Sequence, residues 1–244
     1  MPSNALVDNR WHFDWRELGD RFVEWSAGIP MPRGLCLEIG IGKHHHHYKT
    51  LMEGLGYKWV GIEIAQYPDC KVVGDAHRLP FQANTFSLVA MRCVIEHLQN
   101  PWAVLKEVHR TLRKEAYVCG SVSFLEPFHG SYFHFTHWGV KQLLMDTGFS
   151  PVSIEPGTSY YLPLVPSLFP ARSGSGYNRA ALRFASLSGK LVIKPILKLQ
   201  KVLGYLYIVG RFGRDSEEYK LFARYQEENP FRYAGHINFL AKRL

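Results

Sequence analysis

Glu38, Glu63 and Asp75 each lie at or near the end of a short apolar run, and no other set of acids in the chain repeats in this way. The first run, Gly34-Leu35-Cys36-Leu37-Glu38-Ile39-Gly40-Ile41-Gly42, closes with two spaced glycines. The second is Trp59-Val60-Gly61-Ile62-Glu63-Ile64, and the third is Cys70-Lys71-Val72-Val73-Gly74-Asp75. An ionised carboxylate only accepts hydrogen bonds, so acids at strand ends suit a ligand rich in hydroxyls and amines. Strand, glycine turn, helix, strand and acid is the spacing of a mononucleotide-binding α/β unit. On this reading Gly40 and Gly42 let the backbone approach a ligand, Glu63 accepts from ribose hydroxyls, and Asp75 accepts from an exocyclic amine.

A second group of chemical residues lies in Glu126-Pro127-Phe128-His129-Gly130-Ser131-Tyr132-Phe133-His134-Phe135-Thr136-His137-Trp138. An imidazole titrates near neutrality, so His129, His134 and His137 are candidate general bases. This loop follows a predicted central strand at its carboxyl end, where open α/β sheets bind ligands. An acceptor site is therefore expected there in preference to a packed surface loop. The run His44-His45-His46-His47 is not read as a metal site, because neighbouring side chains in a helix or turn point in different directions. Those histidines are expected to complete the glycine turn and open a helix, with one or two imidazoles lining the ligand pocket.

The elements that must position these groups follow from periodicity. Residues 12–27 predict an amphipathic helix through Trp15, Leu18, Phe22 and Trp25, packed on the sheet edge or capping the pocket. Strands are expected at about 34–39, 58–63, 71–74, 86–91, 116–122 and 152–155, with a closing strand at 234–241. Helices are expected from the glycine turn to about Leu55, from Pro101 to Leu112, and over about 138–147 with Gly148 as its cap. Lys114-Glu115 reads as a turn. Alternating strands and helices predict a Rossmann-like, seven-stranded, mostly parallel sheet with helices on both faces.

Residues 156–180 are rich in proline, serine and glycine and read as a lid or connector. From Arg179 to Val209 the pattern is helical, with a break or kink at Pro195. The domain expectation is a helical cap over 1–33, a core over 34–155, a helical insertion over 156–232, and a closing strand of the core over 233–244.

The whole chain carries 29 basic and 21 acidic residues, a formal net charge of +8. Nine of the basic residues and no acid fall between Ala171 and Arg214, leaving 20 against 21 elsewhere. Lys190, Lys194, Lys198 and Lys201 form a basic face, so the helix at 187–201 is expected either to touch an anionic membrane or to present a solvated face. The four cysteines form no CxxC pair and read as reduced, buried thiols. With no N-terminal signal in Met1-Pro2-Ser3-Asn4 and no apolar run long enough to span a bilayer, a cytoplasmic protein is expected.

Glu38-x-Gly40-x-Gly42, Glu63, Gly74-Asp75-Ala76 with Leu79-Pro80-Phe81, and Glu96-His97 together resemble the class I S-adenosylmethionine-dependent methyltransferases, in the small-molecule branch called type 11. The stretch Leu125 to Thr136 is similar to members associated with bacterial saccharide gene clusters. The likeness covers about 34–155. It implies S-adenosylmethionine as cofactor and methyl transfer to a small molecule, most simply at oxygen. It further implies that Gly40 and Gly42 pass under the methionine portion and that Glu38 orders its ammonium through water. Glu63 would take the ribose, Asp75 and the Ala76 backbone the adenine, and Arg92 and Cys93 the floor below the methyl donor. His97 would orient a loop. His44 stands where the family carries a third glycine, beside the methionine tail. No metal is implied, because Arg92 occupies the place of the carboxylate that metal-assisted methylation uses.

Three rivals stay open. A nicotinamide-dependent dehydrogenase would want a third glycine, which Gly40-Ile41-Gly42-Lys43-His44-His45 lacks. An RNA methyltransferase would use the basic segment, yet the rest of the chain is neutral and shows no RNA-binding module. A non-catalytic S-adenosylmethionine-binding or scaffold protein is the third.

Overall fold

The computed structural model describes residues 15–42, 46–67, 70–125, 130–157, 194–228 and 234–244. The chain divides into two compact units, one of 1–124, 128–157 and 236–244 and the other of 125–127 and 158–235.

The first unit is built on one sheet. Its elements are α1 (Trp15–Gly28), β1 (Leu35–Ile39), α2 (His46–Gly54), β2 (Lys58–Glu63), β3 (Val72–Val73), β4 (Phe86–Arg92), α3 (Pro101–Thr111), β5 (Leu112–Ser123), α4 (His137–Asp146), β6 (Phe149–Pro156) and β7 (His236–Arg243). The seven strands lie in the order β3-β2-β1-β4-β5-β7-β6. Pairings from β3 through β5 are parallel, and β7 is inserted antiparallel between β5 and β6. The order reverses at β1: β1 leads sideways to β2, and β4 leads the other way to β5. Right-handed crossovers then put α2 and α3 on opposite faces and leave a crevice at the carboxyl ends of β1 and β4.

Side-chain alternation fills both faces. Cys36, Trp59, Leu88, Ala90, Cys119 and Leu240 share one buried cluster with Phe22 of α1 and with Tyr48 and Met52 of α2. The alternate residues Leu37, Val89, Met91, Val118 and Phe239 are equally buried, as strands covered on both sides require. Helix α3 starts where Asn100 accepts from the Ala103 N–H and Pro101 follows; α4 starts where Thr136 accepts from the Gly139 N–H.

Several boundaries differ from the sequence expectation. Lys114-Glu115 falls within the span of β5 (Leu112–Ser123), but the pairing with β4 shifts register there: Leu112 stands opposite Phe86 and Tyr117 opposite Leu88, with Glu115 at φ 62° between them. The third strand shrinks to Val72–Val73, and the closing strand shifts to His236–Arg243. Among the described residues the second unit consists of α5 (Lys194–Phe212) and α6 (Glu217–Glu228), the latter not anticipated individually. Pro195 is the second residue of the described part of α5, and the residues just before Lys194, on which the expected break or kink also bears, lie outside the described residues. Residues 158–193, with most of the expected connector and the start of the basic helix, lie outside the described residues.

Candidate cofactor and acceptor site

The crevice is built first by backbone. Gly40 and Gly42 leave β1 at φ 74° and 61°, a region that side chains disfavour. A Cβ on Gly40 would lie 2.4 Å from Val94 Cγ2, so the glycine also makes room for the chain leaving β4. That chain turns back at Cys93, which adopts φ 52° although it is not glycine. Its N–H donates to the Ser121 carbonyl at 2.9 Å, and the Ser121 hydroxyl lies 3.1 Å from the same nitrogen. These bonds hold a conformation that an isolated cysteine would rarely take.

Glu63 closes β2 beside this turn. One carboxylate oxygen accepts from the Gly42 N–H at 2.9 Å and the other from the Ile64 N–H at 2.8 Å. A carboxylate has about four acceptor positions, so capacity for two further donors is left, as a ribose diol needs.

Asp75 caps the short turn Ala76–Arg78. Its Oδ1 accepts from the His77 backbone N–H at 2.9 Å and from His77 Nδ1 at 2.7 Å. His77 Nε2 accepts from the Asn100 N–H, so the hydrogen of the neutral ring sits on Nδ1. The backbone N–H and then the imidazole of His77 hold the Asp75 carboxyl below its ordinary value. Among the described residues Oδ2 has no partner, and Ala76 behind it is buried. The segment that follows is clamped in a way the sequence did not disclose. Glu107 accepts from the Leu79 N–H and from Arg110, while Arg110 donates to the carbonyls of Leu79 and Phe81. Arg110 holds the Glu107 carboxyl below the usual range.

Glu38, read as ordering the methionine ammonium through water, and Arg92, read as lying beneath the methyl donor, are neighbours at the carboxyl ends of β1 and β4. The structure joins them: Arg92 Nη2 donates to Glu38 Oε1 at 2.5 Å, and Trp59 Nε1 donates to Glu38 Oε2 at 2.9 Å. Their side chains are 6% and 1% exposed, and the guanidinium stacks 4.5 Å from the ring centroid of Tyr48. Burial pushes the Glu38 carboxyl up, against the pull of Arg92. Both Glu38 oxygens are thus engaged, and the side chain is buried. Beside them burial raises the Cys119 thiol to about 12, so it stays protonated. Each of the four cysteines is free.

The histidine loop lies where the strand order placed it. The Tyr132 and Phe133 N–H groups donate to the Glu96 carbonyl, and the Phe135 N–H donates to the Ser123 carbonyl at the end of β5. Buried Glu96, its carboxyl raised by that burial, accepts from the Ser123 N–H and hydroxyl. His97 Nδ1 donates to the Gly130 carbonyl at 2.9 Å and pins the loop start. His134 Nδ1 donates to the Phe124 carbonyl at 2.8 Å, which leaves Nε2 as the basic nitrogen of an exposed ring. His137 is half-buried in the first turn of α4 against Trp138. His129 and His44 lie outside the described residues.

Residues 37–120 match the family model described as a methyltransferase domain. An uncharacterized methyltransferase of Schizosaccharomyces pombe is 43% identical over 47 residues, 19% of this chain and 17% of that protein. A mitochondrial arginine-hydroxylase of Danio rerio is 22% identical over 129 residues, 49% of this chain and 40% of that protein. The chain thus matches less than half the length of either curated relative. A geranyl diphosphate methyltransferase solved in complex with SAM shares the fold, with TM-score 0.52, 11% identity, and coverage of 93% of this chain and 84% of that one.

Proposed function

We propose that the chain transfers the methyl group of S-adenosylmethionine to an oxygen of a small molecule of the saccharide or secondary-metabolite class. The observation that carries this reading is the Glu63 carboxylate, fixed by two backbone N–H groups with two acceptor positions left over. The sulfonium of the bound cofactor already makes its methyl group electrophilic, so the protein's main task is alignment and exclusion of water. Glu63 holds the ribose hydroxyls, Asp75 Oδ2 takes the adenine amine, and the Ala76 backbone faces the ring. The Gly40–Gly42 turn carries the methionine portion, with the Glu38–Arg92 pair keeping its floor rigid.

His134 is the general base in this account. Its Nδ1–H bond to Phe124 fixes the tautomer in which Nε2 can take the proton of an attacking hydroxyl. The N–H groups of Tyr132, Phe133 and Phe135, donating to the carbonyls of Glu96 and Ser123, hold the loop that presents it. The test is methyl-labelled S-adenosylmethionine with a broad panel of saccharides and hydroxylated metabolites. Label should pass to one acceptor class, and His134→Ala should lower turnover by about 100-fold or more with little change in cofactor affinity. Cofactor binding with no labelled product across the panel would instead establish a non-catalytic binding protein.

A further inference from the structure

Helix α5 turns a continuous apolar stripe to solvent. Ile196, Leu199, Val202, Leu203, Leu206 and Tyr207 are between 46% and 62% exposed. At about 100° per residue they fall within an arc of roughly 140°. The opposite side of the helix is already used. Gly204 lets Phe222 of α6 approach so closely that a Cβ there would lie 2.9 Å from the ring, and Tyr205 meets Tyr219 edge-on at 6.2 Å. The outward stripe is therefore not the packing face of the helix pair.

The charges bordering it are of one sign. Helix α5 contains no acid, and Lys198 and Arg211, both exposed, border the stripe on its two sides. A helix with large apolar side chains on one face and cations along the borders matches the interface of an anionic bilayer. Tyr207, at one edge of the stripe, is a side chain that favours that interface. Among the described residues no helix is long and apolar enough to cross a membrane, so the helix would lie on the surface. A second copy of the chain would bring two acid-free cationic helices together, which like charges oppose.

We infer that α5 seats on an anionic lipid surface, with Leu199, Leu203 and Leu206 inserted and Lys198 and Arg211 among the headgroups. This places the contact further along the helix than the lysine face at 187–201, and makes the apolar residues its main element. It does not depend on the methyl-transfer reading.

The test is sedimentation of the full chain with vesicles of phosphatidylcholine alone and of phosphatidylcholine mixed with phosphatidylglycerol. The chain should bind the mixed vesicles and be released by salt. The pair Leu199→Ser with Leu206→Ser, and separately Lys198→Glu with Arg211→Glu, should each weaken binding about tenfold or more. Circular dichroism should show both variants folded, because all four side chains are exposed. Equal binding by variants and wild type, or equal binding to neutral and anionic vesicles, overturns the inference. So does failure to bind vesicles together with a wild-type dimer that the leucine pair dissociates, which would make the occupant a second copy.

Discussion

Arg92→Leu strands a carboxylate that is 1% exposed and leaves it the indole N–H of Trp59. Breaking a buried ion pair from one side costs about 3–5 kcal/mol. A domain's whole stability is about 5–15 kcal/mol, so this loss is large. The damage has a pH dependence with a definite sign. Burial already raises the Glu38 carboxyl, and removing the guanidinium raises it further, so the folded variant prefers the protonated acid. The deficit should therefore grow as pH rises and shrink as Glu38 takes up a proton. Replacing both partners, Glu38→Met with Arg92→Leu, removes the stranded charge and should return stability to within about 1 kcal/mol of wild type. Urea unfolding followed by tryptophan fluorescence, at about pH 6 and about pH 8, measures all three proteins. A single variant within about 1 kcal/mol of wild type, or a double variant no more stable than Arg92→Leu alone, refutes the account of the crevice floor.

Two further outcomes follow from the same geometry. Gly40→Ala meets both a positive φ and Val94, and should cost about 2–4 kcal/mol in chemical unfolding; adding Val94→Ala should recover part of it. Glu107→Gln should lower the melting temperature near neutral pH by releasing Leu79. Because Arg110 depresses the folded Glu107 carboxyl, that stabilisation is present above the ordinary glutamate range and disappears as pH falls through the lower folded value. Melting curves of wild type and variant should accordingly converge below about pH 4.

Strands β1 to β3 were legible because each announces itself twice, by an apolar run and by the acid or glycine that closes it. Glu63 could be placed at the end of β2 on that pattern alone. The Glu38–Arg92 pair could not, because 54 residues separate the partners and each alone looks directed at a ligand. Glu107 and Arg110 were missed for the opposite reason. Three residues apart on a helix they resemble a surface ion pair, and only the fold brings the carbonyls of Leu79 and Phe81 to them. The lysines of α5 drew attention in the sequence, whereas the exposed stripe beside them became visible only once α6 was seen to occupy the other face. Composition could name the histidine loop, but the choice of His134 rests on a hydrogen bond to Phe124 that no spacing encodes.

Calorimetric titration of S-adenosylhomocysteine into the wild-type chain and into Glu63→Ala tests the central claim most directly. One saturable site per chain is expected, weakened about 100-fold or more when the carboxylate is removed, since bonds to a charged group are worth about 1.5–3 kcal/mol each. No binding by the folded wild type, or equal affinity in the two proteins, would contradict the assignment of this crevice to the cofactor.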